Sequence, residues 1–92
     1  MKKELRAVVR GRVQLVMYRD FASRTARRLG VAGTVRNLPD GAVEIVAQGA
    51  PAALAAYLER LRRGSLLSKV EHVDAQWHEP SEVLEDFTIL YA

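Results

Sequence analysis

The 92-residue chain contains no cysteine. That removes disulfides, thiolate ligation of zinc, haem or iron–sulfur clusters, and a thiol nucleophile. No run approaches eighteen apolar residues, so no membrane span is expected. The start, Met1-Lys2-Lys3-Glu4, leads into no apolar stretch of the kind a signal peptide carries, and the cytoplasm is the expected compartment. No Pro/Gly/Ser-rich linker, internal repeat or low-complexity tract divides the sequence, which is expected to form a single domain over residues 1–92. At 10.3 kDa, size scaling predicts that about 64% of the unfolded chain's surface, some 15,000 Å², is buried on folding, leaving about 5,300 Å² exposed. One core is therefore affordable without staples.

Acidic residues are scarce in the first part of the chain. Residues 1–36 hold ten Lys/Arg against two Asp/Glu, a balance of +8, while residues 37–92 hold four against nine, a balance of −5. A positive half attracts anions by its summed field, whether nucleic acid, membrane surface or a phosphorylated small molecule.

Hydrophobic periodicity orders the rest. Residues 4–10 alternate, with Leu5, Ala7 and Val9 on one side, and read as a strand that Gly11 ends. Residues 12–18 read as an irregular connection. From Asp20 the period becomes helical: Phe21, Ala22, Thr25, Ala26 and Leu29 share one side, and Gly30 supplies a C-terminal stop. Strands at 31–38 and 42–49 are joined by the turn Leu38-Pro39-Asp40-Gly41. Pro51 opens a second helix with Leu54, Tyr57, Leu58 and Leu61 as its stripe, ended by Gly64-Ser65. A strand at about 69–77 and a short one at 86–91, with Phe87, Ile89 and Tyr91 in phase, complete the chain. The order βαββαβ plus a short C-terminal strand predicts an α+β fold, a ferredoxin-like two-layer sandwich with two helices on one face of an antiparallel sheet.

Much familiar chemistry is missing: no Gly-Lys-Ser/Thr phosphate loop, no dinucleotide fingerprint, no His-Glu-x-x-His. His72 and His78 fall short of the four converging donors a zinc site needs, so no metal and no cofactor are expected. The serines lack a nucleophile-elbow context, and the acids of residues 79–86 sit in a solvated loop. The segment Gly11-Arg12-Val13-Gln14-Leu15-Val16-Met17-Tyr18-Arg19 is more distinctive. It links a strand to a helix N-terminus, where unpaired N–H groups and the helix dipole favour an anion, and Arg19 adds a planar fork suited to two phosphate oxygens. Asn37, the single asparagine, either orders a water or caps the turn at 38–41.

These residues resemble the acylphosphatase family. Its pattern Gly-x-Val-Gln-Gly-Val-x-Phe-Arg stands here as Gly11-x-Val13-Gln14-Leu15-Val16-x-Tyr18-Arg19. Its pattern Gly-x-Val-Arg-Asn-x-x-Asp-Gly-x-Val-Glu stands as Gly33-Thr34-Val35-Arg36-Asn37-Leu38-Pro39-Asp40-Gly41-Ala42-Val43-Glu44. The likeness runs on through Gly49 to Phe87-x-Ile89-x-Tyr91 and covers essentially the whole chain. It implies a ferredoxin-like fold and metal-independent hydrolysis of small acyl phosphates, with inorganic phosphate as product and inhibitor and the chain acting as a monomer. By the same resemblance Arg19 binds substrate, Asn37 orients water, and Gln14, Leu15, Val16, Met17, Tyr18 and Arg19 form the phosphate-binding loop.

Two positions depart from the pattern. Tyr18 replaces phenylalanine and needs a partner for its hydroxyl. Leu15 replaces a glycine; if φ is positive there, leucine costs ~1–2 kcal/mol and its side chain points into solvent or crowds the anion. Two other readings fit a ferredoxin-like domain. RNA binding across the sheet is disfavoured, because strands 5–9 and 42–48 lack aromatics, so neither nucleic acid nor membrane is expected as a partner. The alternative is a non-catalytic anion-binding domain of the same fold.

Overall fold

Alternating burial along the strands and a 3.6-residue period along the helices leave each element one apolar face, and one core collects them all. The computed structural model describes residues 1–91. Its elements are β1 (Lys3–Arg12), α1 (Tyr18–Leu29), β2 (Ala32–Asn37), β3 (Val43–Gly49), α2 (Pro51–Arg63), β4 (Lys69–His78) and β5 (Phe87–Leu90). The strands form one sheet in the order β4-β1-β3-β2-β5. Leu5, Ala7 and Val9 of β1 and Val43, Ile45 and Ala47 of β3 pack beneath Ala22 and Ala26 of α1 and Leu54, Tyr57 and Leu61 of α2. The exposed surface of 5585 Å² is close to the size expectation, so the chain is as fully folded as its length allows.

Two sequence expectations need correction. The sheet is mixed: its first four strands pair antiparallel as expected, but β5 runs parallel to β2, with Gly33 opposite Phe87 and Arg36 opposite Leu90. Gly11 also does not end β1. The strand continues to Arg12, and its register against β4 shifts between Arg10 and Gly11. There φ is 131°, and a Cβ would lie 2.1 Å from the Lys69 carbonyl oxygen. Only glycine lets the two backbones approach this closely while the bulge re-aims the chain.

The sheet face away from the helices is polar and partly covered. Gln48 of β3 donates to the Glu82 carbonyl and accepts from the Leu84 N–H, which docks the 79–86 loop over that face. The acidic side chains of this loop stay exposed, as expected.

Candidate active site

The bulge at Gly11 launches residues 13–17 toward α1. Leu15 and Met17 both have φ 62°, in the left-handed region, while Val16 between them does not. Such alternation turns successive N–H groups toward a common concavity. Met17 caps α1 without a side-chain hydrogen bond, so the N–H groups of the first turn lack a side-chain acceptor from the cap. Tyr18 starts the helix 1% exposed, and its hydroxyl donates to the Leu61 carbonyl at 2.8 Å. That carbonyl lies in the last turn of α2, where helical acceptors are left over. Burial pushes the Tyr18 hydroxyl well above its ordinary pKa. It stays protonated and holds the helix start; it does not move protons.

Val13, Leu15, Met17, Tyr18, Arg19, Asp20, Asn37, Ile89 and Tyr91 line a cleft of about 420 Å³. It brings Arg19 and Asn37 together from α1 and the end of β2. Arg19 donates to the Leu90 carbonyl at 3.2 Å, and its guanidinium carbon lies 4.7 Å from the centroid of the Tyr91 ring. One N–H and one face of the fork are thereby fixed, which orients the rest. The Asn37 Oδ1 is buried and has no hydrogen-bond partner among the described residues. It does not cap the turn. Asp40 does so, its Oδ1 accepting from the Ala42 N–H, while its Oδ2 accepts from Arg10. The Arg10 hydrogen bond and then that N–H hold the Asp40 carboxyl below its usual range.

The Gln14 side chain turns to the neighbouring hairpin. Its amide donates to the carbonyls of Leu38 and Ala42, both at 2.8 Å, and so fastens the loop to the β2–β3 turn. The loop that carries Arg19 and the strand end that carries Asn37 are thus held at one spacing. Val16 packs against the core, and Leu15 stands fully in solvent. Its side chain therefore points into solvent and does not fill the cleft.

A larger hollow of about 520 Å³ lies on the open sheet face, lined by Glu4, Arg6, Arg36, Glu44 and Gln48 among others. Both of its arginines are spent, Arg6 on Glu4 and Arg36 on Glu44, each at 2.7 Å, and its remaining charges, Asp74 and Glu82, repel an anion. The smaller cleft holds an oriented guanidinium beside an unpartnered acceptor. Size and chemistry point to different hollows, and chemistry decides.

The Acylphosphatase family model matches residues 5–89. The chain belongs to the acylphosphatase family. An acylphosphatase of Thermus thermophilus is 51% identical to it, the match covering 79% of this chain and 83% of the relative. One from Thermococcus kodakarensis is 47% identical over 96% and 98% of the two chains. Among solved structures, the acylphosphatase of Bacillus subtilis superposes with a TM-score of 0.93 at 37% identity, covering 97% of this chain and 99% of that one. A ferredoxin-like fold carries this acylphosphatase family member, as its element order predicts. Sequence reasoning missed Val13, Asp20, Ile89 and Tyr91 as walls of the cleft. The in-phase Ile89 and Tyr91 carried a faint signal of it; the Arg19–Tyr91 stacking carried none.

Proposed function

We propose that this chain hydrolyses the carboxyl–phosphate bond of small acyl phosphates in the Arg19–Asn37 cleft. The observation that carries the assignment is the juxtaposition of an oriented guanidinium with a buried, unpartnered amide oxygen in one cleft. The leaving group is a carboxylate, whose conjugate acid has a pKa near 4–5, so the reaction needs no general acid. That suits a cleft whose one lining carboxylate, Asp20, accepts a hydrogen bond from Arg24 at 2.9 Å. Charge spreads over the phosphoryl oxygens in the transition state, and Arg19 with the N–H groups of residues 14–19 stabilises it.

Asn37 Oδ1 accepts a hydrogen bond from the attacking water and sets it in line with the leaving oxygen. An amide is too weak a base to take the proton, so a phosphoryl oxygen of the substrate receives it. Bond formation from water to phosphorus and cleavage of the bond to the leaving oxygen give inorganic phosphate, which keeps the proton, and the free carboxylate.

Arg19→Ala tests this. A charge-assisted bidentate contact strongest in the transition state is worth ~3–5 kcal/mol, or about 10²–10⁴ in rate. The variant is expected to keep its circular dichroism spectrum and lose turnover by that factor, and Arg19→Lys to restore little. More than a tenth of wild-type kcat/KM remaining in the alanine variant would sink the assignment.

A further inference from the structure

Three apolar side chains stand open to solvent at the mouth of the cleft. Leu15 is fully exposed, Met17 is 67% and Tyr91 78% exposed, and all three line the cleft together with the half-buried Ile89. Leu15 and Met17 are also held in the left-handed region, where a side chain costs strain, and neither belongs to the core. Packing does not account for them. Single exposed apolar residues are ordinary, but grouped on the rim of one concavity they mark a recognition surface. With the phosphoryl end held at Arg19 and the loop N–H groups, the acyl group lies outward against that rim. Tyr91 makes a firm wall, because the Arg19 guanidinium 4.7 Å from its centroid fixes the ring.

We propose that Leu15, Met17 and Tyr91 form an apolar collar for the acyl group, so that the preferred substrates are acyl phosphates bearing an uncharged alkyl or aryl group. The inference rests on the reading of this cleft as the acyl phosphate site. A methylene fully withdrawn from water shifts an equilibrium about fourfold, and a collar open on one side covers roughly half of it, giving about twofold per methylene. The acyl group is gripped equally in ground and transition states, so the gain falls on KM and not on kcat.

The test measures kcat and KM for acetyl, butyryl, hexanoyl and benzoyl phosphates, with adipoyl monophosphate as the carboxylate-ended counterpart of hexanoyl phosphate. KM is expected to fall about 16-fold from acetyl to hexanoyl phosphate, four methylenes at about twofold each, at nearly constant kcat. Adipoyl monophosphate is expected to bind more weakly than hexanoyl phosphate, despite the positive field of residues 1–36. In Leu15→Asn/Met17→Asn, whose asparagines tolerate the left-handed backbone, the dependence of KM on chain length should flatten, each series being referred to the same variant's acetyl phosphate. A flat wild-type series, an undiminished slope in the double variant, or adipoyl monophosphate binding as tightly as hexanoyl phosphate overturns the collar. The wild-type comparisons decide even where the double variant is too slow to assay. Failure to hydrolyse any acyl phosphate would strike the underlying reading of the cleft instead.

Discussion

A buried polar atom left without a partner costs a folded protein about 1–3 kcal/mol, and Asn37 Oδ1 stands in that position at the side of the cleft. The proposed mechanism supplies its partner, the attacking water. Asn37→Ala should therefore lower kcat on the order of a hundredfold, since misplacing a reacting group by about 1 Å costs that much. Inorganic phosphate should still inhibit nearly as well. A large loss of phosphate affinity with kcat unchanged would move Asn37 from the water to the phosphate. Leu15 raises a different question, that of strain. Its side chain is in solvent and its φ is 62°, so glycine there relieves ~1–2 kcal/mol while adding about 0.4–1 kcal/mol of unfolded-chain entropy. Leu15→Gly is expected to be more stable by up to about 1.6 kcal/mol, a rise in Tm of several degrees. A lower Tm would show that the loop holds leucine without strain. Both residues were legible by type and position. The direction of the Leu15 side chain and the orphaned amide oxygen depend on atoms brought from distant parts of the chain, which no local pattern encodes.

Among the elements, helix limits and the β2–β3 hairpin follow local chemistry: Gly30 at φ 71° closes α1, and Pro51 opens α2. The partner of β5 did not show in the sequence, because phase in a four-residue strand tells which face it buries but not which neighbour it takes. Gly11 misled for a related reason, since a glycine that breaks a strand and one that lets two strands touch read alike. Paired strands also set the acid response. Glu4 on β1 is 2% exposed; burial works to raise its pKa, but hydrogen bonds from Gln48 and Arg6, with the Arg6 charge, outweigh it and hold the carboxyl below its usual range. Folding thus favours the charged form. Its stabilisation is complete above the unfolded pKa and is lost as pH falls through the lower folded value. The midpoint of urea unfolding should decline as pH drops from about 5 to 3, and decline less in Glu4→Gln. Asp40, also held low, contributes to the slope in both proteins. Parallel curves would remove Glu4 from the account.

At the scale of the whole molecule, the positive segment 1–36 supplies the β1–α1 loop and Arg19, the one basic residue that lines the cleft. Among the described residues no group of three or more His, Asp or Glu side chains is placed to hold a metal ion. Acyl phosphate turnover by EDTA-treated protein should equal that of untreated protein, and phosphate monoesters should be poor substrates, because their alkoxide leaving groups need an acid or a metal. Activity restored only by added magnesium or zinc would contradict this.

The cleft is also unequally supported. Its β1–α1 wall is anchored in the core, but Ile89 and Tyr91 come from β5 and the residue just past it, a four-residue edge strand paired only with β2. Edge segments of this kind open by sub-global fluctuation, at a free energy below that of global unfolding. Detachment of β5 would release both the ring against Arg19 and the Leu90 carbonyl that Arg19 grips, while the four antiparallel strands stayed paired. With the reaction placed in this cleft, activity is expected to follow the exchange protection of the β5 amides, and thermal inactivation to set in while the antiparallel sheet is still protected; activity lost only together with that protection would contradict this.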